Sequence, residues 1–281
     1  MDVFEALGFR WDRLAAPWSV PVHSIERVCF HFLRMLPEFV WDEGGLEGNP
    51  FTYTEVQTLM EGVTIGGRRI ADQTQILNIA RSARRLVDLV KTGQFALNRT
   101  IFTELHGLAA HEDALEWGVF RGEGEEVLYL PEVSLGERGR YKPLPTVAGA
   151  QALQDLFARG IATLDAQVPH PFEQALAFFL FAILQQFFFD GNRRVAHLMM
   201  NGILMSHGID AISVPPHHAE AFNEEIVRFF VNKDGTAVMD LLTECHPDAV
   251  AIRAANPRPA DRRGPGWEEE SDEEAEGEAG T

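Results

Sequence analysis

The segment from Ala175 to Asn201 constrains the fold of this chain more than any other. It reads ALAFFLFAILQQFFFDGNRRVAHLMMN. Residues Phe178 to Phe189 are apolar on nearly every face, which predicts a helix at the centre of the domain rather than on its surface. The longest apolar run, Ala175 to Leu184, is too short to span a bilayer. A polar break, DGNRR, therefore follows a buried helix close to the core, before a second helix predicted from Arg194 to His207.

This polar break has the chemistry of an anion site. At the entry to a helix several backbone N–H groups lack intrahelical partners, and the helix dipole is positive there. Gly191 and Asn192 tolerate the backbone angles that fold successive amides into a concave nest. Arg193 and Arg194 are suited to grip phosphate oxygens, and Asp190 is suited to hold Mg²⁺ beside them. The same residues also make ordinary helix caps, turns and ion pairs, so the residues alone leave a purely structural interpretation open.

Composition and charge exclude several classes of function. The formal net charge of the 281 residues is −18, which argues against general binding to nucleic-acid backbones. Cys29 and Cys245 are the only cysteines, and neither lies in a metal-binding or redox motif. No apolar stretch is long enough for a membrane span, and the amino terminus is unlike a secretory leader. We therefore expect a cytoplasmic protein.

Helical periodicity dominates the chain and predicts a mainly all-α fold. A helix from Ile25 to Phe39 is predicted to end near Pro37, with the turn-rich linker WDEGGLEGNP after it. The remaining predicted helices are 54–60, 70–90, 98–110, 147–167, 171–189, 194–207, 216–231 and 235–243. We expect an N-terminal helical lobe at 1–48, a domain at 49–252 and an acidic disordered tail at 253–281.

One segment departs from the helical pattern. Residues 118–145 carry β-branched and aromatic side chains between Gly and Pro breakers. This composition predicts a short β-hairpin or an irregular flap that protrudes from the helical body.

The sequence from Gln186 to His197, QFFFDGNRRVAH, resembles the Fic (Fido) family signature HxFx[D/E]GN[G/K]RxxR. Five positions match it directly: Phe188, Asp190, Gly191, Asn192 and Arg194. Gln186 stands at the position of the family's His, Arg193 at the Gly or Lys position, and His197 at the position of the second Arg. The likeness extends over residues 49–245, since the surrounding segments resemble the family's paired central helices and, upstream, an inhibitory helix near 54–62.

The resemblance implies the Fic helical fold with a short hairpin flap. It also implies AMPylation, the transfer of AMP from ATP to a hydroxyl of a target protein. Asp190 would then bind Mg²⁺, Gly191 and Asn192 would form the phosphate nest, and Arg194 would hold a phosphate oxygen. A target segment would pair with the flap at 118–145 by strand addition.

The departures from the signature predict altered function. The missing His is the family's general base, and a Gln amide has no comparable basicity. The resemblance places the inhibitory glutamate at Glu61, whose usual Arg partner is replaced by His197. A contact between Glu61 and His197 would be weaker and pH-dependent. His197 and His170 are the possible substitute bases.

Three hypotheses follow from these residues. The first is a pseudoenzyme of the Fic fold that still binds a nucleotide through Gly191, Asn192, Arg193 and Arg194, with AMP transfer weak or lost. The second is an active nucleotidyl- or phosphotransferase that uses another base, since phosphoryl transfer depends largely on positioning and charge neutralisation. The third is a non-catalytic protein-binding module.

Overall fold

The computed structural model describes residues 2–14 and 16–257, and these form helices α1 to α12 with one small hairpin. The helices are α1 Val3–Leu7, α2 Ile25–Arg34, α3 Leu36–Leu46, α4 Tyr53–Met60, α5 Ile70–Lys91, α6 Arg99–Ala109, α7 Gln151–Gln167, α8 Pro171–Gln185, α9 Asn192–Ser206, α10 Pro216–Asn232, α11 Thr236–Glu244 and α12 Ala249–Ala255. The mainly α-helical fold predicted from the sequence is confirmed. Helix α12 extends past residue 253, and most of the predicted acidic tail lies outside the described residues.

Helix α8 is the central element of the fold. Every side chain from Ala175 to Leu184 is buried, as its uniformly apolar sequence predicts. Helix α9 packs along it, and α5 and α6 pack against α9. Gly160 of α7 allows the close approach of α8, because a Cβ atom there would lie 2.3 Å from the ring of Phe181.

Helix α8 ends four residues earlier than predicted. Gln186 adopts left-handed backbone angles (φ 49°, ψ 62°) and stops the helix after Gln185. Phe187 and Phe188 then pack into an aromatic cluster around Phe102. The three phenylalanines after Gln186 are therefore buried by a turn, which periodicity alone does not distinguish from a helix.

The predicted boundary between a helix at 25–39 and a linker at 41–50 is wrong. The first helix stops at Arg34, and α3 runs through most of the predicted linker. Pro37 lies in the first turn of α3, where the missing amide needs no partner. Gly44 lies where α3 meets α5, since a Cβ atom at Gly44 would be 2.8 Å from Ile76 Cδ1. Close packing therefore explains a glycine that the sequence pattern assigns to a turn.

The residues predicted as a separate N-terminal lobe share the core of the larger domain. Helix α2 packs on α5 and α9, and α3 packs on α5. Side chains such as Val28, Phe39 and Val40 belong to the same buried cluster as Phe178 of α8. The division of the chain at residue 48 stays a prediction from composition.

The predicted hairpin is confirmed in outline. Strand β1 (Val133–Ser134) pairs antiparallel with β2 (Arg140–Tyr141), and a short 3-10 turn lies between them. The ring of Tyr141 packs against Phe230 of α10 at 5.0 Å between centroids. This contact anchors the flap over the end of α10. In the part of the chain that the structure describes, no helix combines the length and hydropathy that a membrane crossing requires.

Candidate functional site

The loop that joins α8 to α9, residues 186–191, is held in a tight conformation at both ends. Gly191 has φ 70°, and a Cβ atom there would lie 2.9 Å from Ala110 Cβ of the neighbouring chain segment. Only glycine combines this backbone angle with that approach. Among the described residues, the first-turn amides of Asn192, Arg193 and Arg194 meet no hydrogen-bond acceptor. These amides form the positive end of α9.

The side chain of Asn192 braces the loop from inside. Its Oδ1 accepts a hydrogen bond from the Phe188 amide at 3.0 Å, and its Nδ2 donates to the Phe188 carbonyl at 2.9 Å. A third bond runs from Nδ2 to Oε1 of Gln186 at 3.1 Å. Asn192 is 4% exposed. The side chain of Asn192 therefore shapes the loop, and only its backbone N–H is left to bind an anion.

Gln186 is bound into the same network. Its Nε2 donates to the carbonyl of Ile183 at 2.6 Å, and its Oε1 accepts from Asn192. Its own carbonyl accepts from Nε of Arg121 at 2.6 Å. An amide held in this way caps α8 and has no proton-accepting capacity near neutral pH.

A buried histidine supports the loop from α6. The ring of His106 stacks on Phe188 at 3.6 Å between centroids. Its Nδ1 accepts from the Gly118 amide at 3.1 Å, so Nε2 carries the proton and donates to the Asp190 carbonyl at 2.9 Å. Burial lowers the pKa of His106 to about 3, and the ring is neutral. His106 thus positions Asp190 and has no free nitrogen with which to act as a base.

Arg193 is already paired in this structure. Its Nε and Nη2 lie 3.0 and 2.9 Å from Oε1 of Glu47, at the C-terminal cap of α3. Nη2 also donates to the Leu46 carbonyl, and Nη1 donates to Asn223 of α10 at 3.1 Å. The guanidinium that was expected to grip phosphate therefore ties α9 to α3 and α10.

Arg194 is buried, with 2% of its side chain exposed. It donates to the carbonyl of Ala109 at 2.7 Å and lies 2.7 Å from Oδ2 of Asp113. Its Nε lies 3.8 Å from Glu47, and its Nη2 lies 4.0 Å from Asp190. Three carboxylates thus surround the guanidinium that the resemblance assigns to a phosphate oxygen.

Glu47 stands between the two arginines. Burial raises the pKa of Glu47, but the positive charges of Arg193 and Arg194 outweigh that effect and hold the pKa below its usual value. Glu47 is therefore ionised at neutral pH and neutralises positive charge that would otherwise face the loop.

The predicted contact between Glu61 and His197 is not formed. Glu61 caps the C-terminal end of α4 and is exposed to solvent, whereas Val56 and Leu59 are the buried residues of that helix. His197 is 2% exposed, stacks on Phe179, and places Nδ1 at 2.5 Å from Oε1 of Glu43. Two of the carboxylates that meet α9, Glu43 and Glu47, come from α3 and its C-terminal cap, which the sequence pattern assigns to a linker.

A cleft of about 380 Å³ opens beside the loop. We call it the loop cleft. Its walls are the α8–α9 loop, the flap, α10 and the end of α3; the predicted site residues in the walls are Gln186, Asp190, Gly191, Asn192 and Arg193. Arg194 and His197 lie behind the walls. His170 caps the far end of α8, sixteen residues from Gln186, which is about 24 Å along a helix.

No protein-family model matches the chain. The chain is 25% identical over 205 residues to a protein named protein adenylyltransferase Fic of Drosophila ananassae, covering 69% of this chain and 38% of that protein. The protein of the same name from Aedes aegypti is 23% identical over 203 residues, with the same coverage of both chains. The chain thus spans well under half the length of these curated relatives.

Solved structures match over more of the chain. A Fic domain containing signaling protein from Bacteroides thetaiotaomicron superposes with a TM-score of 0.66 at 16% identity, covering 93% of this chain and 98% of that one. Fic-1 from C. elegans (residues 134–508) gives a TM-score of 0.63 at 15% identity, covering 82% and 69%. The fold is that of a Fic (Fido) domain.

Within the loop cleft, Asp190 is the exposed carboxylate beside the amides of α9 and could hold a divalent cation. Its side chain is 60% exposed in the loop cleft, and one oxygen accepts the Gly191 amide at 2.6 Å. Mg²⁺ commonly binds through one or two carboxylates plus substrate phosphates. One exposed carboxylate beside unpaired amides fits that requirement.

A second group of potential ligands lies elsewhere in the fold. His23, Asp210 and Asp248 place ligand atoms within 4.8 Å of one another. Arg27 and His31 already lie 3.0 and 3.1 Å from the Asp210 carboxylate. The group is therefore satisfied as an ion-pair cluster.

Several residues that shape the loop cleft were not predicted from the sequence. They are Glu43, Glu47, His106, Asp113 and Arg121. Glu43 and Glu47 are four residues apart and would lie on one helical face, but that signal appears only once α3 is recognised as a helix. The other three meet the loop through tertiary contacts, for which a single sequence carries no local signal.

Proposed function

We propose that this Fic domain binds a nucleoside triphosphate with Mg²⁺ in the loop cleft, and that transfer of AMP from ATP to a protein hydroxyl is weak or lost. The observation that carries the proposal is the side chain of Gln186, at the position where the resemblance implies a general base. Both ends of its amide are bonded within the domain. The imidazole that would take the proton of the attacking hydroxyl is therefore missing from the loop.

No described histidine replaces the missing base. The walls of the loop cleft contain none. His106 is neutral with both nitrogens bonded, His197 is paired with Glu43 behind the wall, and His170 lies at the other end of α8. General-base assistance is typically worth about 10²- to 10⁴-fold in rate. Without this assistance, the site would still bind the nucleotide, but the rate of transfer would be lower by that factor.

The residues that remain fit phosphate binding. The first-turn amides of α9 would donate to phosphate oxygens, and Gly191 allows the left-handed turn that precedes them. Asp190 would hold Mg²⁺, which when bound neutralises phosphate charge and orients the phosphates. Arg193, which is 25% exposed, would exchange Glu47 for a phosphate oxygen.

Glu47 would then act as a competitor of the nucleotide. It occupies the guanidinium groups that a phosphate needs, so its carboxylate has the inhibitory role that the resemblance assigned to Glu61. The flap and α10 form the opposite wall of the cleft. A protein segment that pairs with the flap would bring its hydroxyl to this wall.

Incubation of the purified chain and candidate targets with labelled ATP tests the proposal. We expect little labelling by the wild-type chain and at least a tenfold gain in the Gln186→His variant, which restores a base at the loop. Label at the α-phosphate reports AMP transfer, and label at the γ-phosphate reports phosphoryl transfer. Asp190→Ala added to Gln186→His should abolish the gain.

Two outcomes would overturn the proposal. Efficient wild-type labelling from the α-phosphate that disappears in Asp190→Ala would identify an active transferase with another base. A lack of any gain in Gln186→His, and in its combination with Glu47→Gln, would reject the missing base as the cause of inactivity.

A second function is favoured by the pairing of the arginines. Arg193 and Arg194 are both paired with the domain's own groups, and the carboxylates of Glu47, Asp113 and Asp190 outnumber them. Such a site suits a protein-binding module whose nucleotide pocket is vestigial. The absence of heat when ATP and Mg²⁺ are added to both the wild-type chain and Glu47→Gln would select this function.

A further inference from the structure

A separate pocket lies on the other side of α3. It has a volume of about 220 Å³ and lies between α2, α3, the segment after α9 and the segment after α11. It shares no wall residue with the loop cleft. The apolar part of the wall comprises Phe32, Met35, Phe39, Ile212, Pro215 and Cys245.

A buried carboxyl group lies in the wall of this pocket. Asp42 is 4% exposed, and its Oδ2 accepts a hydrogen bond from Oγ of Ser213 at 2.7 Å. Its Oδ1 is buried and has no partner among the described residues. A buried polar atom without a partner destabilises the fold, so a donor from outside the chain would be favoured at Oδ1.

The charges around Asp42 indicate which charge a ligand that donates to it would carry. Glu38 lies one helical turn earlier on α3 and also lines the pocket. No Lys or Arg lines it, and the Nδ1 of His31 lies 3.1 Å from Asp210 instead. Burial raises the pKa of Cys245 to about 12, so its thiol is neutral. The pocket would therefore attract a cation and repel an anion.

We propose that this pocket binds a small organic cation, an amine on an apolar body of about one ring, whose ammonium group donates to Asp42. The aromatic and aliphatic walls would cover the apolar body, and Glu38 would lie near the charged end. The volume fits this class of ligand, because a cavity of roughly 150 Å³ already holds a benzene ring.

Proton binding at Asp42 supports the choice of an ammonium group. Burial raises the pKa of this carboxyl to about 7, the hydroxyl of Ser213 lowers it, and the charges of Glu38 and Glu43 raise it further. The site thus already takes up a proton more readily than an exposed aspartate does. An ammonium group would replace that proton, so its affinity should increase as the pH rises from 6 to 8. His31 from α2 and Cys245 after α11 are the other titratable groups that line the pocket.

Calorimetric titration of the full chain with 2-phenylethylamine at pH 8 tests the proposal. We expect saturable binding at one site, at least tenfold weaker binding of the neutral analogue 2-phenylethanol, and no binding of 3-phenylpropanoate. Asp42→Asn keeps an acceptor for Ser213 and should weaken amine binding at least tenfold. Glu220→Gln, which removes one exposed negative charge on α10, should leave it unchanged.

A second variant tests the pocket without changing the carboxyl group of Asp42. Met35 is 41% exposed at the edge of the pocket, so Met35→Trp should fill the entrance without disturbing the core. Binding should be lost while circular dichroism stays unchanged. Three outcomes would reject the proposal: equal binding of amine and alcohol, equal binding of the amine by Asp42→Asn and the wild-type chain, or no saturable binding by the wild-type chain. Each would indicate that water alone donates a hydrogen bond to Oδ1 of Asp42.

Discussion

Replacing Glu47 with Gln removes the charge that competes with phosphate for the arginines of α9. In the structure one Glu47 oxygen lies within 3.0 Å of two Arg193 nitrogens, and the other lies 3.8 Å from Arg194. A hydrogen bond to a charged group contributes about 1.5–3 kcal/mol. If a nucleotide must displace one such interaction, the variant should bind ATP about 10- to 150-fold more tightly.

Isothermal titration calorimetry with ATP and Mg²⁺ measures this difference directly. The matched control is Glu61→Gln, which removes the same charge from an exposed position at the end of α4. We expect no change in affinity for this control, because Glu61 does not line the loop cleft. The comparison separates the glutamate found at the site from the one that the sequence resemblance implied.

Two results would refute this reasoning. Unchanged or weaker ATP binding by Glu47→Gln, with an intact thermal unfolding transition, would mean that Glu47 holds the arginines in a conformation that the nucleotide requires. A larger gain in ATP affinity in Glu61→Gln than in Glu47→Gln would identify Glu61 of α4 as the inhibitory residue.

Three further predictions concern stability. Burial lowers the pKa of His106 to about 3, so its neutral ring stabilises the fold above pH 6.5, and this contribution is lost as the pH falls toward 3. His106→Ala should lower the free energy of unfolding by roughly 2–4 kcal/mol at pH 7. In urea denaturation, the free energy of unfolding of this variant should depend less on pH than that of the wild-type chain. Burial raises the pKa of Asp42 to about 7, so its contribution to stability is present below pH 4 and lost as the pH rises through 7. Asp42→Asn keeps the bond to Ser213, and its free energy of unfolding from urea denaturation should exceed that of the wild-type chain by up to roughly 3 kcal/mol at pH 8. The difference should shrink toward pH 4. Gly44→Ala would place a methyl group 2.8 Å from Ile76 and should cost about 1–3 kcal/mol, measured by thermal or urea unfolding, whereas an unchanged midpoint would contradict the packing of α3 on α5.

Local sequence determined most of the central helices. The uniformly apolar run of α8 predicted burial at the core, and Asn98 predicted the start of α6, where its side chain accepts the Ile101 amide at 3.0 Å. The polar break between α8 and α9 was predicted because Asp190 and Gly191 cannot continue an apolar helix. These features depend on short-range chemistry, which a single sequence records.

The partners of the loop depend on long-range contacts and were not predicted. The sequence pattern predicts a linker at 41–50 because Pro37 and Gly44 usually mark turns, whereas Pro37 lies in the first turn of α3 and Gly44 allows close packing. A linker gives no indication that Glu47 lies at the site, and the resemblance places the glutamate at Glu61 of α4. The residues alone leave open whether the arginines bind phosphate or pair within the domain, and tertiary contacts engage both of them.

The affinity of the wild-type chain for ATP in the presence of Mg²⁺ decides whether the loop cleft is a nucleotide site. We expect saturable binding at one site, with a dissociation constant in the micromolar to millimolar range that Asp190→Ala weakens at least tenfold. Binding that is absent from both the wild-type chain and Glu47→Gln, or that Asp190→Ala leaves unchanged, would contradict this expectation.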